Sequence, residues 1–299
     1  MELPESSARR LWTEVELPAE VLAVPTMLSN RERQLLYWLA RDYVNGSGRI
    51  IDGGSFLGGS TAALAAGLAA RTDRSWDKNI AAFDRFTVEP YTVENYGQYF
   101  SDCTVGASFL DAFERNMAPW RNLLDVRASD ILQSSWTGEP IEILFLDTVK
   151  NWVVNDFVIR TFFPFLVPGH SIILQQDYLW GFGPWLHITM ELLADCVIKL
   201  DSMPNGTVAY LLTSPIPREL FSGAKLRDSL PLDRQNYLMD QAVSRWEGEE
   251  RGLVELARVM LIAETDTTAA HTEFVAALAR NFNSERVKTM RALCCEMAG

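Results

Sequence analysis

Short apolar runs recur between Arg49 and Ser214 and constrain the fold more than any other feature. They are RIID from Arg49, IAAFD from Ile80, LLDVRAS from Leu123, IEILFLD from Ile141, SIILQQD from Ser171, VIKLDSM from Val197 and VAYLLTS from Val208. The first five are separated by stretches long enough for crossover helices. Nearly uninterrupted apolar strands linked in this way predict a parallel sheet covered on both faces. The last two are joined through PNG, a hairpin-type turn. The expected architecture is therefore α/β, with a mostly parallel sheet of seven strands that ends in an antiparallel hairpin. An apolar content of 48% with 11% aromatics can fill such a core, which excludes disorder over most of the chain.

Helical signals flank the strand region. In LSNRERQLLYWLARDYV, Ser29 is a cap with Glu32 as its capping-box partner, and Leu35, Leu36, Leu39 and Tyr43 recur at helical spacing. NGSG then ends the helix. Beyond Pro215 the texture turns charged and helix-favouring, with RGLVELARVMLIAE and HTEFVAALARNF as the clearest periods. The expected organisation is an N-terminal helical segment over 1–48, a strand-bearing domain over 49–215 and a helical extension over 216–299. The amphipathic extension suits a lid or a homo-oligomer surface.

Charge and cysteine usage narrow the function classes. The net charge is −12 and no basic run is present, so nucleic acid is not an expected partner. Cys103, Cys196, Cys294 and Cys295 have neither disulfide-framework nor zinc spacing, and the charged N-terminus lacks a signal-peptide core. No run has membrane-span length, so a cytoplasmic protein is expected. His170, His187 and His271 are too few for a histidine-rich metal site.

The stretch IIDGGSFLGGSTAALAAGL sits between the first strand and a helix-like segment. A dinucleotide fingerprint fails on spacing, since its second glycine falls on Ser55 or Phe56. A phosphate-binding loop fails because Ser60 stands where a lysine is required. What remains is acidic-x-Gly-x-x-x-Gly-x-Ser, formed by Asp52, Gly54, Gly58 and Ser60. Glycines there let a backbone pass close beneath a bulky ligand, and the acidic residue can attract a cationic amino group. A turn that only packs helix on strand is the structural alternative.

This loop resembles motif I of class I S-adenosylmethionine-dependent methyltransferases. Asp84 ends the second strand where that family holds the cofactor ribose, and Asp130 follows the third where it contacts adenine. Over residues 25–215 the chain is similar to the macrocin-type branch, which includes sugar O-methyltransferases of macrolide and aminocoumarin biosynthesis. The resemblance implies a Rossmann-like sheet that binds S-adenosylmethionine through Asp52, Gly53, Gly54, Ser55, Gly58, Ser60, Thr61, Asp84, Arg85, Ser129, Asp130 and Asp147. It also implies methyl transfer to a small-molecule acceptor. Other chemistry on the same fold, or a noncatalytic cofactor-binding module, remains open.

In that branch the fourth and fifth strands end in acidic clusters that hold magnesium. Here FLDTVKNW and LQQDYLWG keep Asp147 and Asp177, while Val149 and Gln176 replace expected carboxylates. Asp147, Asp177 and the Gln176 carbonyl are the candidate magnesium ligands. Lys150 can neutralise the charge that a metal would balance, or bind an acceptor carboxylate or phosphate. Tyr178, Trp180, Phe182 and Trp185 are candidates for an apolar acceptor pocket, with His187 as its base or as a backbone-bonded helix residue. The candidate catalytic set is thus Asp147, Lys150, Asp177 and His187.

Overall fold

The computed structural model describes residues 11–73, 79–136, 138–203, 206–222, 225–266, 268–270 and 272–273. Expectations for Cys294, Cys295, His271 and nearly all of HTEFVAALARNF lie outside the described residues, as do Pro204 and Asn205 of the hairpin turn. The chain packs as two compact units, residues 1–148 and 149–299. That boundary falls inside the strand-bearing span 49–215 expected to form one domain.

The first unit opens with α1 (Ala19–Leu22) and α2 (Asn30–Trp38). Ser29 and Glu32 form the anticipated capping box: the Ser29 amide donates to Glu32 Oε2 at 2.7 Å and the Glu32 amide to Ser29 Oγ at 3.3 Å. Past Trp38 the helix widens into one π turn, Leu39–Tyr43. The Arg71 guanidinium donates to the carbonyls of Arg41 and Val44 there, supplying partners for helix-end acceptors.

Next come β1 (Arg49–Gly53), α3 (Gly59–Ala69), β2 (Ile80–Asp84), α4 (Pro90–Tyr96), α5 (Leu110–Met117), β3 (Leu124–Ala128) and β4 (Ile141–Leu146). β1 pairs in parallel with β2 and β4, and β2 with β3. Every residue of β4 is buried, including Glu142, whose carboxylate accepts the amides of Asn45 and Gly46 at 2.8 and 3.0 Å. This buried charge is spent on pinning the NGSG turn.

The second unit contains α6 (Trp152–Thr161), β5 (Ile172–Gln175), α7 (Pro184–Leu192), β6 (Val197–Ser202), β7 (Val208–Leu212), α8 (Leu226–Ser229), α9 (Leu232–Ser244) and α10 (Gly248–Ala263). β7 runs antiparallel to both β5 and β6. Strand order is β3-β2-β1-β4-β5-β7-β6, a Rossmann-like, mostly parallel sheet with the expected antiparallel end hairpin. β6 is an edge strand and carries Lys199 and Asp201, charges that suit an unpaired edge. α9 and α10 pack on one another and on α7, so this part of the extension belongs to the core of the second unit. Among the described residues no helix is long and apolar enough to cross a membrane.

Candidate functional site

The turn from β1 into α3 is held from inside. Asp52 is fully buried, and its carboxylate accepts the Ser60 hydroxyl at 2.9 and 3.0 Å and the Thr61 hydroxyl at 2.5 Å. Burial pushes its pKa up to about 6, against the pull of the two hydroxyls. The carboxylate thus ties the end of β1 to the first turn of α3. Asp52, Ser55, Ser60 and Thr61, expected on the cofactor, are all buried and shape the loop rather than face outward.

The loop glycines also meet protein atoms. Gly54 has φ +95° and lies so close to β4's end that an added Cβ would stand 2.8 Å from the Asp147 carbonyl oxygen. At Gly58, φ +98°, the nearest atom would be Met117 Cε at 2.5 Å. Both glycines thus have close protein neighbours: Gly54 the backbone just past β4, and Gly58 the side chain of Met117, the last residue of α5. Gly53 continues the same ladder, its carbonyl accepting the Asp147 amide at 2.7 Å.

Asp84 organises the outer side of the loop. Its Oδ2 accepts the Phe56 amide at 2.8 Å and its Oδ1 accepts the Phe86 amide at 2.7 Å. Phe56 and Phe86, with φ 47° and 49°, are the only non-glycine residues with positive φ among those described. Such backbone is costly for bulky side chains, so the surroundings must over-determine it. Phe56 meets Tyr96 and Phe109 edge-on, centroids 5.1 and 5.4 Å apart, and Phe86 packs on Phe113 at 4.8 Å. The signal for this cluster in the sequence was the aromatic density after Asp84, in YTVENYGQYF and SFLDAF, which the resemblance to motif I did not use.

Polar groups at the carboxyl ends of the first unit's strands remain half-exposed: Asp84, Ser129, Asp130 and Asp147, the last of them against the Gly54 backbone. Asp130 Oδ1 caps a short turn through the Leu132 amide at 2.9 Å. Arg85 is paired with Glu89 at 2.5 Å on the surface. Each Asp84 oxygen accepts one amide and keeps a further acceptor site, and burial raises its pKa despite those bonds.

The second unit disperses the other candidates. Lys150 forms an ion pair with Asp177, and its ammonium lies 5.9 Å from the Trp180 ring centre. Gln176 is buried. No group of three or more His, Cys, Asp or Glu side chains suited to a metal occurs among the described residues. With Asp177 already balanced by an ammonium, the donor set does not fit magnesium, which prefers hard, charged oxygen ligands.

The four aromatics expected to line one acceptor pocket go three ways. Trp180 meets Phe182, Trp185 meets Trp152, and Tyr178 packs on His187, Tyr210 and Trp246. His187 is fully buried, and neither ring nitrogen has a hydrogen-bond partner among the described residues. Burial lowers its pKa to about 3. Neither the base nor the backbone-bonded role expected for it is seen. His170 lies in the turn that precedes β5.

A depressed histidine pKa has a definite sign in stability. The native state refuses a proton that the unfolded chain takes up below its ordinary 6.5, so stability falls as pH drops from about 6.5 toward about 3. His187→Phe removes that penalty and keeps the contact with Tyr178. Relative to wild type, it should gain about 2 kcal/mol at a pH of about 5, with little of that gain at about 7.5. Urea midpoints at the two pH values measure this, and an equal change at both would refute it.

Comparison with protein-family models found no match, and a search of curated proteins found none either.

Proposed function

We propose that the chain is an S-adenosylmethionine-dependent methyltransferase acting on an oxygen of a small molecule. The observation that carries the reading is the strand order with β7 inserted antiparallel between β5 and β6, together with the glycine loop at the end of β1. In doubly wound sheets, ligands bind outside the carboxyl ends of the strands. Asp84 is the residue for the ribose hydroxyls, and Ser129 and Asp130 those for the adenine. When bound, the cofactor would supply a methyl group already activated by a positive sulfur.

What the chain contributes under this reading is alignment. Asp84 holds the turn through Phe56 and Phe86, which keeps the binding edge rigid before a ligand arrives. His187 is buried and Asp177 is paired with Lys150, so neither is offered as a base. The reading therefore favours an acceptor that ionises unaided at neutral pH, such as a carboxylate. The same two observations favour a second reading, a noncatalytic module that holds the cofactor without transfer.

Calorimetric titration with S-adenosylmethionine and S-adenosylhomocysteine, with and without magnesium, is the test. Saturable binding that magnesium leaves unchanged is expected. Absence of binding overturns both readings, while binding without transfer across a panel of carboxylic and phenolic acceptors selects the second.

A further inference from the structure

A separate cleft lies wholly within the second unit. It measures about 390 Å³ and is bounded by the β6–β7 face, the end of α7 and α9. Its floor is apolar and aromatic: Tyr178, Met190, Tyr210 and Trp246 line it and are each nearly inaccessible themselves. Lys199 and Arg245 stand at its rim. Lys199 pairs across the hairpin with Tyr210 and lays its ammonium 3.8 Å from the Trp246 ring centre.

The charges in this cleft do not cancel. Glu191 is the acidic lining residue, and Arg245 engages it through Nε at 2.7 and 2.9 Å. Among the described residues the terminal guanidinium nitrogens of Arg245 make no hydrogen bond, and Lys199 meets an aromatic ring but no carboxylate. Two cationic side chains against one anionic one leave a single positive charge over an aromatic floor. Burial raises the pKa of Tyr178 and of Tyr210, so both phenols stay protonated at neutral pH and add no opposing charge.

We propose that this cleft binds a small aromatic carboxylate, its ring seated against Tyr178, Tyr210 and Trp246 and its carboxylate reached by Lys199 and Arg245. The volume falls within the range of small-molecule sites, about 300–1,000 Å³. An aromatic floor with few polar groups at one end holds a flat ring by its faces and fixes its orientation by charge. A neutral ring would fill the same floor but leave the rim charge unbalanced. A dicarboxylate would bring one negative charge too many. The site does not depend on the methyltransferase reading.

Indole-3-acetate and its uncharged analogue indole-3-acetamide, titrated calorimetrically into the full-length protein, separate these contributions. The acid should bind saturably and at least tenfold more tightly than the amide. Lys199→Glu, at an exposed position, should weaken the acid about tenfold or more and leave the amide nearly unchanged, as expected for loss of one charged contact. Ala194→Phe, which fills the cleft from α7's end, should weaken both. Far-UV circular dichroism matching wild type shows that each variant is folded. No binding of the acid to wild type, equal affinity for acid and amide, or indifference of the acid to both substitutions overturns the proposal.

Discussion

Replacing Gly54 with alanine is expected to destabilise the protein by about 2–5 kcal/mol, whereas the same change at Gly106 should cost about 1 kcal/mol. Both glycines have left-handed backbone, φ +95° and +92°, so both substitutions carry the same conformational penalty. Their surroundings differ. An added Cβ at Gly106 meets nothing within 4 Å, but at Gly54 it stands 2.8 Å from the Asp147 carbonyl oxygen and 2.9 Å from the carbonyl carbon. Those are backbone atoms at the end of a fully buried strand, and no rotamer change moves them aside. Moving them would strain the Asp147 amide bond to Gly53 at 2.7 Å. Urea unfolding of the two variants measures the difference directly. Equal costs would mean that the approach of β1 to β4's end is loose and that the glycine serves only its dihedral angle.

Much of the sheet was legible because buried parallel strands have a simple signature. β1, β2, β4 and β5 are covered on both faces and read as short apolar runs, and β7 is set off by a hairpin turn. The capping box of α2 was equally plain, since Ser29 and Glu32 are a local pair whose spacing alone makes both bonds. Residue direction at the site was not legible. The position of Asp52 at a strand end says nothing about whether its carboxylate faces solvent or the following helix. Ser60 and Thr61, in the first turn of α3, supply two hydroxyls that draw it inward. Nothing in the spacing of the motif distinguishes a carboxylate that faces a ligand from one that these hydroxyls hold inside.

The acceptor region was harder for a different reason. Tyr178, Trp180, Phe182 and Trp185 lie in and around an irregular connection, where no fixed period says which residues share a face. Trp180 and Phe182 meet each other, but Trp185 and Tyr178 also find partners in distant segments: Trp152 on α6, Tyr210 on β7 and Trp246 just past α9. Lys150 was visible as a substitution that weakens a metal site, but its pairing with Asp177, 27 residues away, is a tertiary fact. Glu142 shows what a careful reading can still use. A carboxylate inside an otherwise apolar strand must have a specific partner, here the amides of Asn45 and Gly46.

Asp84→Ala should lower stability by about 3 kcal/mol or more, because one carboxylate holds two amides and each bond to a charged acceptor contributes about 1.5–3 kcal/mol. The affected residues give the loss its reach. Freed from Asp84, Phe56 and Phe86 keep the steric cost of positive φ without the bonds that offset it. Their rings anchor Tyr96, Phe109 and Phe113, so the segment between β2 and α5 should loosen and become susceptible to limited proteolysis. Asp84→Asn, with one carbonyl oxygen in place of two carboxylate oxygens, should fall between alanine and wild type. Under the proposed function, both variants also weaken S-adenosylmethionine, since the group that accepts the ribose hydroxyls is the group that fixes the loop. Stability and affinity should therefore fall in the same rank order across wild type, asparagine and alanine. If Asp84→Ala abolishes cofactor binding yet unfolds at the wild-type urea concentration, the carboxylate acts on the ligand alone and its clamp on the two phenylalanines contributes nothing.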